Sequence, residues 1–211
     1  PATVLIHATG PVEGLLKVER TLLNLVSHMS GVATATDQLV QLAHKQGRQV
    51  RIAATRKTLP GLRYFEKRAV ELGGGDTHRL RLDDMILIKD NHLEVVGSVD
   101  TAVKTAKLHA SFTKKIEIEV TKPSDAVKAA QAGADIILLD NMPPEIVQET
   151  VGLLRKKKLR DKVLLEVSGG INIENIGEYL RTGIDIVSVG RITSSAHSID
   201  MSFELEPRKT S

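Results

Sequence analysis

Charged residues and glycines gather where apolar runs stop. The run Val50 to Ala54 leads into "TRKT" with Arg56 and Lys57, and "ILI" at 86–88 runs straight into Lys89, Asp90, Asn91 and His92. "IEIEV" carries Glu117 and Glu119, "IILLD" ends at Asp140 before Asn141, "LLEV" holds Glu166 ahead of "SGG" (Ser168, Gly169, Gly170), and "IVSV" leads to Gly190. Each type suits a definite chemistry. Arginine forks and lysine ammoniums grip carboxylates and phosphates. A pair such as Glu119 and Asp140 offers hard oxygens of the kind that hold Mg²⁺ jointly with a substrate phosphate. "VSGGIN", two glycines ahead of an expected helix start, can present backbone N–H groups to a phosphate.

Other chemistries lack their groups. There is no cysteine, hence no disulfide, thiolate zinc site or cysteine nucleophile. No G-x-S-x-G elbow, P-loop, H-E-x-x-H or G-x-G-x-x-G is present, so the commoner hydrolase, NTPase and dinucleotide sites are not expected. His78 and His92 neighbour Arg79 and Lys89, cations that would repel a zinc ion. A single charge at a strand end is ordinarily a solvated loop residue; the coincidence of several is what points to a site. Glu117 and Glu119, two apart, share one face of a strand. They lie either in water on an edge strand or at the mouth of a barrel.

Six apolar segments read as buried strands: Val50 to Ala54, Met85 to Ile88, Ile116 to Val120, Ile136 to Leu139, Val163 to Val167 and Ile186 to Val189. Most alternate with helical patterns, which predicts right-handed βα units and a parallel sheet whose strand ends share one face. Leu15 to Gln46 predicts an amphipathic helix broken near Gly31. Ser124 and Asp125 open a helix stopped by Gly133, Asn172 opens another running to Gly183, and Pro143 and Pro144 open a third that ends in the lysine run. The fold class expected is α/β, with an incomplete parallel barrel of about six strands favoured over an open doubly wound sheet.

A chain of 211 residues with 41% hydrophobic content supports one sizeable core. The net charge of +3 invites a nucleic-acid reading, but aromatics are 2% and the basic run at 155–162 falls where a helix should end. No nucleic-acid or membrane partner is expected, and a cytoplasmic location is. "GGGDTHR", Gly73 to Arg79, is either a second anion loop or a connector in which three glycines answer a close approach.

Taken in order, "ERTLLNLVSHMSGVAT", "TRKTLPGLRYFEKRAV", "GGGDTHR", "LIKDNH", "EIEV", "ILLDN" and "SGG" resemble the blocks of the quinolinate phosphoribosyltransferase family, from about Glu19 to Gly190. The resemblance implies transfer of phosphoribosyl from phosphoribosyl pyrophosphate to quinolinate with decarboxylation, giving nicotinate mononucleotide, pyrophosphate and CO₂ on the route to NAD. It implies a TIM-like incomplete barrel over residues 15–195, with residues 1–14 a remnant of or linker from an N-terminal α/β sandwich domain otherwise missing. Residues 196–211 would then be a tail packing on that domain. A homodimer or higher homo-oligomer is implied, one subunit helping to close the other's site. By the same resemblance Arg20, Arg56, Lys57, His78, Arg79 and Lys89 bind the quinolinate carboxylates and a neighbouring phosphate. Glu119 and Asp140 hold ribose hydroxyls and Mg²⁺, while Ser168, Gly169, Gly170 and Gly190 take phosphate. Lys57, Lys89, Glu119 and Asp140 are the expected catalytic set. The alternatives are a non-catalytic phosphate- or nucleotide-binding barrel, or a paralogous phosphoribosyltransferase acting on another aromatic acid.

Overall fold

The computed structural model describes residues 3–46 and 49–206. Six parallel strands, β1 (Arg51–Ala53), β2 (Ile86–Ile88), β3 (Ile116–Val120), β4 (Ile136–Asp140), β5 (Leu164–Ser168) and β6 (Ile186–Ser188), form one sheet in the order β1-β6-β5-β4-β3-β2. All six expected strands are present, with ends shifted by a residue or so. Among the described residues β1 and β2 do not pair with each other, so the barrel is incomplete. Asp76 stands beside β1 instead, in a single parallel bridge to Ala53: its N–H donates to Ile52 O at 2.7 Å, and Ala54 N donates to Asp76 O at 2.9 Å.

The two faces of the sheet bury different things. Ile116, Ile118, Val120, Ile137, Leu139, Leu165, Val167 and Val187 pack with the helices into the hydrophobic core. Their alternates, Glu117, Glu119, Ile136, Leu138, Glu166, Ile186 and Ser188, stand on the other face, because successive side chains in a strand point to opposite sides. Register aligns them into tiers: Glu119 with Leu138, Leu138 with Glu166, and Asp140 with Ser168 and then Ser188.

The helices of the outer layer are α1 (Val12–Lys45), α2 (Arg63–Leu72), α3 (Asp90–Val96), α4 (Val99–His109), α5 (Pro123–Ala132), α6 (Pro144–Lys156), α7 (Ile176–Tyr179) and α8 (Arg191–Ser194). Pro144 opens α6, Gly133 closes α5 in a left-handed cap, and Arg155 and Lys156 sit in the last turn of α6, as the sequence predicts; α5 itself starts at Pro123, ahead of the expected Ser124 and Asp125, and no side chain caps it because Lys122 at the cap position has no acceptor.

Two expectations need correction. The first helix is not broken at Gly31 but runs unbroken from Val12 to Lys45. Gly31 is required because the C-terminal segment crosses there: a Cβ would lie 2.0 Å from His197 O. Nor is 172–183 one helix; only α7, four residues long, forms. Asn172 Oδ1 accepts from Glu174 N and Asn175 N at 2.9 and 3.2 Å, and Asn175 Oδ1 accepts from Asn172 N at 2.9 Å. Asn172 thus caps the segment as expected, but several bonds beyond it are i→i+3 (Glu178 N to Asn175 O, Arg181 N to Glu178 O, Thr182 N to Tyr179 O), so tight turns replace a continuous helix. The tail, expected at 196–211, lies on α1 where described, Ile199 N donating to Ser27 O at 3.1 Å; residues 207–211 fall outside the described residues.

Candidate active site

The C-terminal ends of the strands bring most of the expected residues to one rim. Following the sheet order, Arg56 and Lys57 follow β1, Gly190 follows β6, Ser168 to Gly170 end β5, Asp140 ends β4, Glu119 lies near the end of β3, and Lys89 follows β2. Lys57 packs over Gly190, where a Cβ would come within 3.1 Å of Lys57 Cδ, and Thr193 Oγ1 donates to Lys57 O at 2.7 Å. The charges after β2 divide in two. Lys89 Nζ reaches Glu119 Oε2 at 3.0 Å. Asp90, Asn91 and His92 instead open α3, with His92 Nδ1 accepting from Lys89 N at 2.9 Å.

Arg20 is not at this rim. It projects from the exposed N-terminal half of α1, its side chain 76% exposed and 4.0 Å from Glu19. The buried residues of α1 begin only at Gly31, about 16 Å further along the helix at 1.5 Å per residue.

The segment 73–79 fills the gap beside β1. Gly73 and Gly75 let it lie against α1, since Cβ atoms there would meet Ala33 O at 2.4 Å and the Thr36 methyl at 2.6 Å; Gly74 takes a φ of +80°. It carries His78 into the lumen. His78 Nε2 sits 3.2 Å from Glu166 Oε2 and 3.4 Å from Glu117 Oε2, and Ser188 Oγ donates to Glu166 Oε1 at 2.5 Å. Glu117 and Glu166 are both buried. Burial opposes charge on the ring, but the Glu117 and Glu166 carboxylates beside Nε2 outweigh it and push the His78 pKa up to about 10. Arg79 N donates to Nδ1 at 2.8 Å, so Nδ1 keeps its lone pair and Nε2 carries the hydrogen. That hydrogen is shared with the two carboxylates, and burial raises the Glu117 carboxyl above the usual range. His, Glu and Glu at this spacing could also ligate a metal, but the cations Arg79, Arg56 and Lys67 nearby make a shared proton the better occupant.

Two residues that sequence reasoning left out sit beside this group. Lys67 is fully buried on α2 and donates to Thr77 O. Burial, then Arg63, Arg79 and Arg56, lower its pKa to about 8 against the pull of Asp76. Burial and Arg56 likewise lower the pKa of Arg79, which is 8% exposed. Such mutual influence means that Arg56, Arg63, Lys67 and Arg79 form one cationic wall. The neighbouring Glu66 is buried too, bonded to His28 Nε2 at 2.7 Å and to Leu59 N at 3.1 Å. In the sequence the only trace of this pair is two charges in line with the apolar stripe of a helix.

Across the rim the geometry favours anions and a hard cation. Gly169 (φ +103°) lies so close to β4 that a Cβ would be 2.2 Å from Asn141 Oδ1, and Asn141 itself has a φ of +52°. Left-handed backbone at Asn141 and His78, neither of them glycine, marks strain held by the surroundings. The hydrogen bond to Lys89 engages Glu119 Oε2, and one from Asn141 Nδ2 engages Asp140 Oδ2 at 2.5 Å. Among the described residues Oε1 and Oδ1 have no partner, so one oxygen on each of two adjacent strands is open to a cation. This partial set suits Mg²⁺, which takes one or two carboxylates and completes its shell with substrate phosphates and water.

Residues 32–204 match the family model described as "Quinolinate phosphoribosyl transferase, C-terminal domain". The chain belongs to the quinolinate phosphoribosyltransferase family. Within it, the chain is 54% identical over 200 residues to a probable nicotinate-nucleotide pyrophosphorylase (carboxylating) of Methanothermobacter thermautotrophicus, covering 95% of this chain and 72% of that protein. The human nicotinate-nucleotide pyrophosphorylase (carboxylating) is 38% identical over 205 residues, covering 97% and 68%. Among solved structures, NadC from Streptococcus pyogenes superposes with a TM-score of 0.82 at 42% identity, over 90% of this chain and 65% of that one. The chain thus spans just under two thirds of the length of that solved family member.

Proposed function

We infer that the protein transfers phosphoribosyl from phosphoribosyl pyrophosphate to quinolinate, with loss of CO₂, to give nicotinate mononucleotide and pyrophosphate. The observation that carries this reading is the convergence at one rim of a cationic wall, a carboxylate pair and a glycine turn, in a chain of this family. Quinolinate is a dianion, and Arg56, Lys57, Lys67, Arg79 and Lys89 supply forks and point charges for its carboxylates. The ring nitrogen attacks C1 of the ribose as the C1–O bond to pyrophosphate breaks, with positive charge developing on the sugar and negative charge on the leaving group. Glu119 and Asp140 face the first, and Lys57 with the 168–170 and 190 backbone faces the second. Mg²⁺ held by Glu119 and Asp140 would supply charge neutralisation to the pyrophosphate oxygens. Quinolinate draws Lys89 away from Glu119, freeing that carboxylate for ribose and metal. The C2–carboxylate bond of the adduct then breaks, its electron pair stays on C2 beside the positive ring nitrogen, and a proton takes the place of CO₂. No side-chain nucleophile is needed.

Arg20 enters this reading through a partner. In a homodimer the exposed half of α1 carries Arg20 into the neighbouring subunit's acid pocket, and that assembly acts in the cytoplasm. The test supplies both substrates and Mg²⁺ to the purified protein. Equal amounts of CO₂ and nicotinate mononucleotide are expected, and quinolinate binding without CO₂ release would favour a non-catalytic barrel.

A further inference from the structure

The reading above uses Arg79 but gives no work to His78 beside it, or to Glu166 and Ser188, which are both buried. These side chains are joined in a single line. Ser188 Oγ on β6 donates to Glu166 Oε1 on β5 at 2.5 Å, fixing the carboxylate's rotation. The other oxygen, Oε2, accepts from His78 Nε2 at 3.2 Å. The far side of the same ring accepts the backbone N–H of Arg79 at 2.8 Å, and Asp76 Oδ1 accepts the N–H of His78 at 2.7 Å. His78 meanwhile holds a φ of +51°, a conformation that a non-glycine residue keeps only when its surroundings fix it.

Glu117 does not do this job. It is 3.4 Å from Nε2, and neither of its oxygens has a hydrogen-bond partner among the described residues. The ring's direction is set by Glu166, and Glu166's by Ser188. Because the ring and the Arg79 amide are locked together, the tilt of the imidazole decides where the Arg79 backbone starts. Among the described residues segment 73–79 has a single bridge to the sheet, at Asp76; Lys67 holds Thr77 O, and beyond that point the His78 ring is what holds Arg79 N.

We propose that Glu166 and Ser188 are positioning residues: acting through His78, they fix the left-handed turn that aims Arg79 into the acid-binding pocket. This rests on the functional reading above and deepens it, because the residues set affinity for the aromatic acid without touching it. Phosphoribosyl pyrophosphate, taken by the glycine turn and the rim carboxylates, is not served by this line.

The test uses the full-length protein with Ser188→Ala, Glu166→Ala and Glu166→Gln. Quinolinate affinity is measured by calorimetry without the second substrate, phosphoribosyl pyrophosphate affinity separately, and melting temperature and steady-state constants alongside. Ser188→Ala and Glu166→Ala are expected to weaken quinolinate binding about tenfold, the effect of losing a buried hydrogen bond to a charged group. KM for quinolinate should rise in step, with affinity for phosphoribosyl pyrophosphate unchanged. Glu166→Gln, which keeps an acceptor for the ring, should lose less than Glu166→Ala. Unaltered quinolinate affinity in folded Ser188→Ala overturns the proposal, and so does a parallel fall in both affinities with melting temperature, since that is the signature of a packing role. Should Glu166→Ala fail to fold, Ser188→Ala decides alone. A parent protein that binds no quinolinate refutes the functional reading and this inference with it, whereas an active parent with indifferent variants refutes the positioning role only.

Discussion

Lys67→Met removes the charge from the buried ammonium while keeping a chain of similar length. At about 1.4 kcal/mol per pH unit, the fall in pKa from 10.5 to about 8 corresponds to about 3 kcal/mol. The unfolded chain keeps its proton up to 10.5 and the folded one only to about 8. The penalty is therefore fully present below pH 8 and disappears as pH rises towards 10.5, because over that window the unfolded state binds more protons. Against it stands the bond from Nζ to Thr77 O, worth about 1.5–3 kcal/mol as a bond from a charged donor. At pH 7 the two effects nearly offset, so Lys67→Met should lie within about 1 to 2 kcal/mol of the parent and on the stable side. Urea denaturation of both proteins from pH 7 to pH 10.5 checks this: the parent should gain on the variant by about 2 to 3 kcal/mol across the range. Quinolinate affinity should meanwhile fall in the variant, since a bound dianion restores the pKa that burial lowered. A stability difference that stays flat with pH would refute the reasoning, for it would mean that the ammonium is solvated rather than enclosed.

Arg79→Ala and Lys89→Ala should abolish quinolinate binding, seen by calorimetry, with the circular dichroism of the folded chain retained; normal affinity in either removes the role assigned to it. Gly169→Ala should cost about 1–3 kcal/mol in chemical denaturation and lose phosphoribosyl pyrophosphate affinity, because a left-handed φ and an Asn141 contact at 2.2 Å act together. Gly170→Ala, with a φ of +62° and nothing within 4 Å, should cost less in the same assay. Gly31→Ala should destabilise by about 1–3 kcal/mol through displacement of the His197 backbone, and limited proteolysis should then cut near residue 197 sooner than in the parent.

The strands were legible because buried parallel strands are short apolar runs with turn residues at both ends, and all six stand where the pattern puts them. The rim was legible for the same reason, since a charge after such a run has one face to go to. Gly31 misled because a glycine in a helix reads as a local weakness, while its reason lies 166 positions away in His197. Asn172 reads correctly as a cap, its Oδ1 taking Glu174 N and Asn175 N; what the pattern misses is that the chain beyond it tightens into i→i+3 turns after four helical residues. Glu66 and Lys67 could not be found by pattern, for a buried charge looks like an exposed one until its partners, His28 and Thr77, are brought in by the fold. Glu166 was visible as a carboxylate in a strand; its tie to His78 spans 88 residues and leaves no local trace.

The division of the sheet between a face packed on the helices and a face lining the lumen bears on how such an enzyme can change. Ile118, Ile137, Leu165 and Val187 anchor the architecture against the helices, while Glu119, Leu138, Glu166 and Ser188, one step away along the same ribbons, face the lumen. A replacement at a core-facing position risks collapse of the whole; its neighbour along the strand faces the lumen and can be exchanged with the foundation untouched. Alternation along each strand thus lets a lineage rewrite the acid it recognises one residue at a time and keep its scaffold throughout.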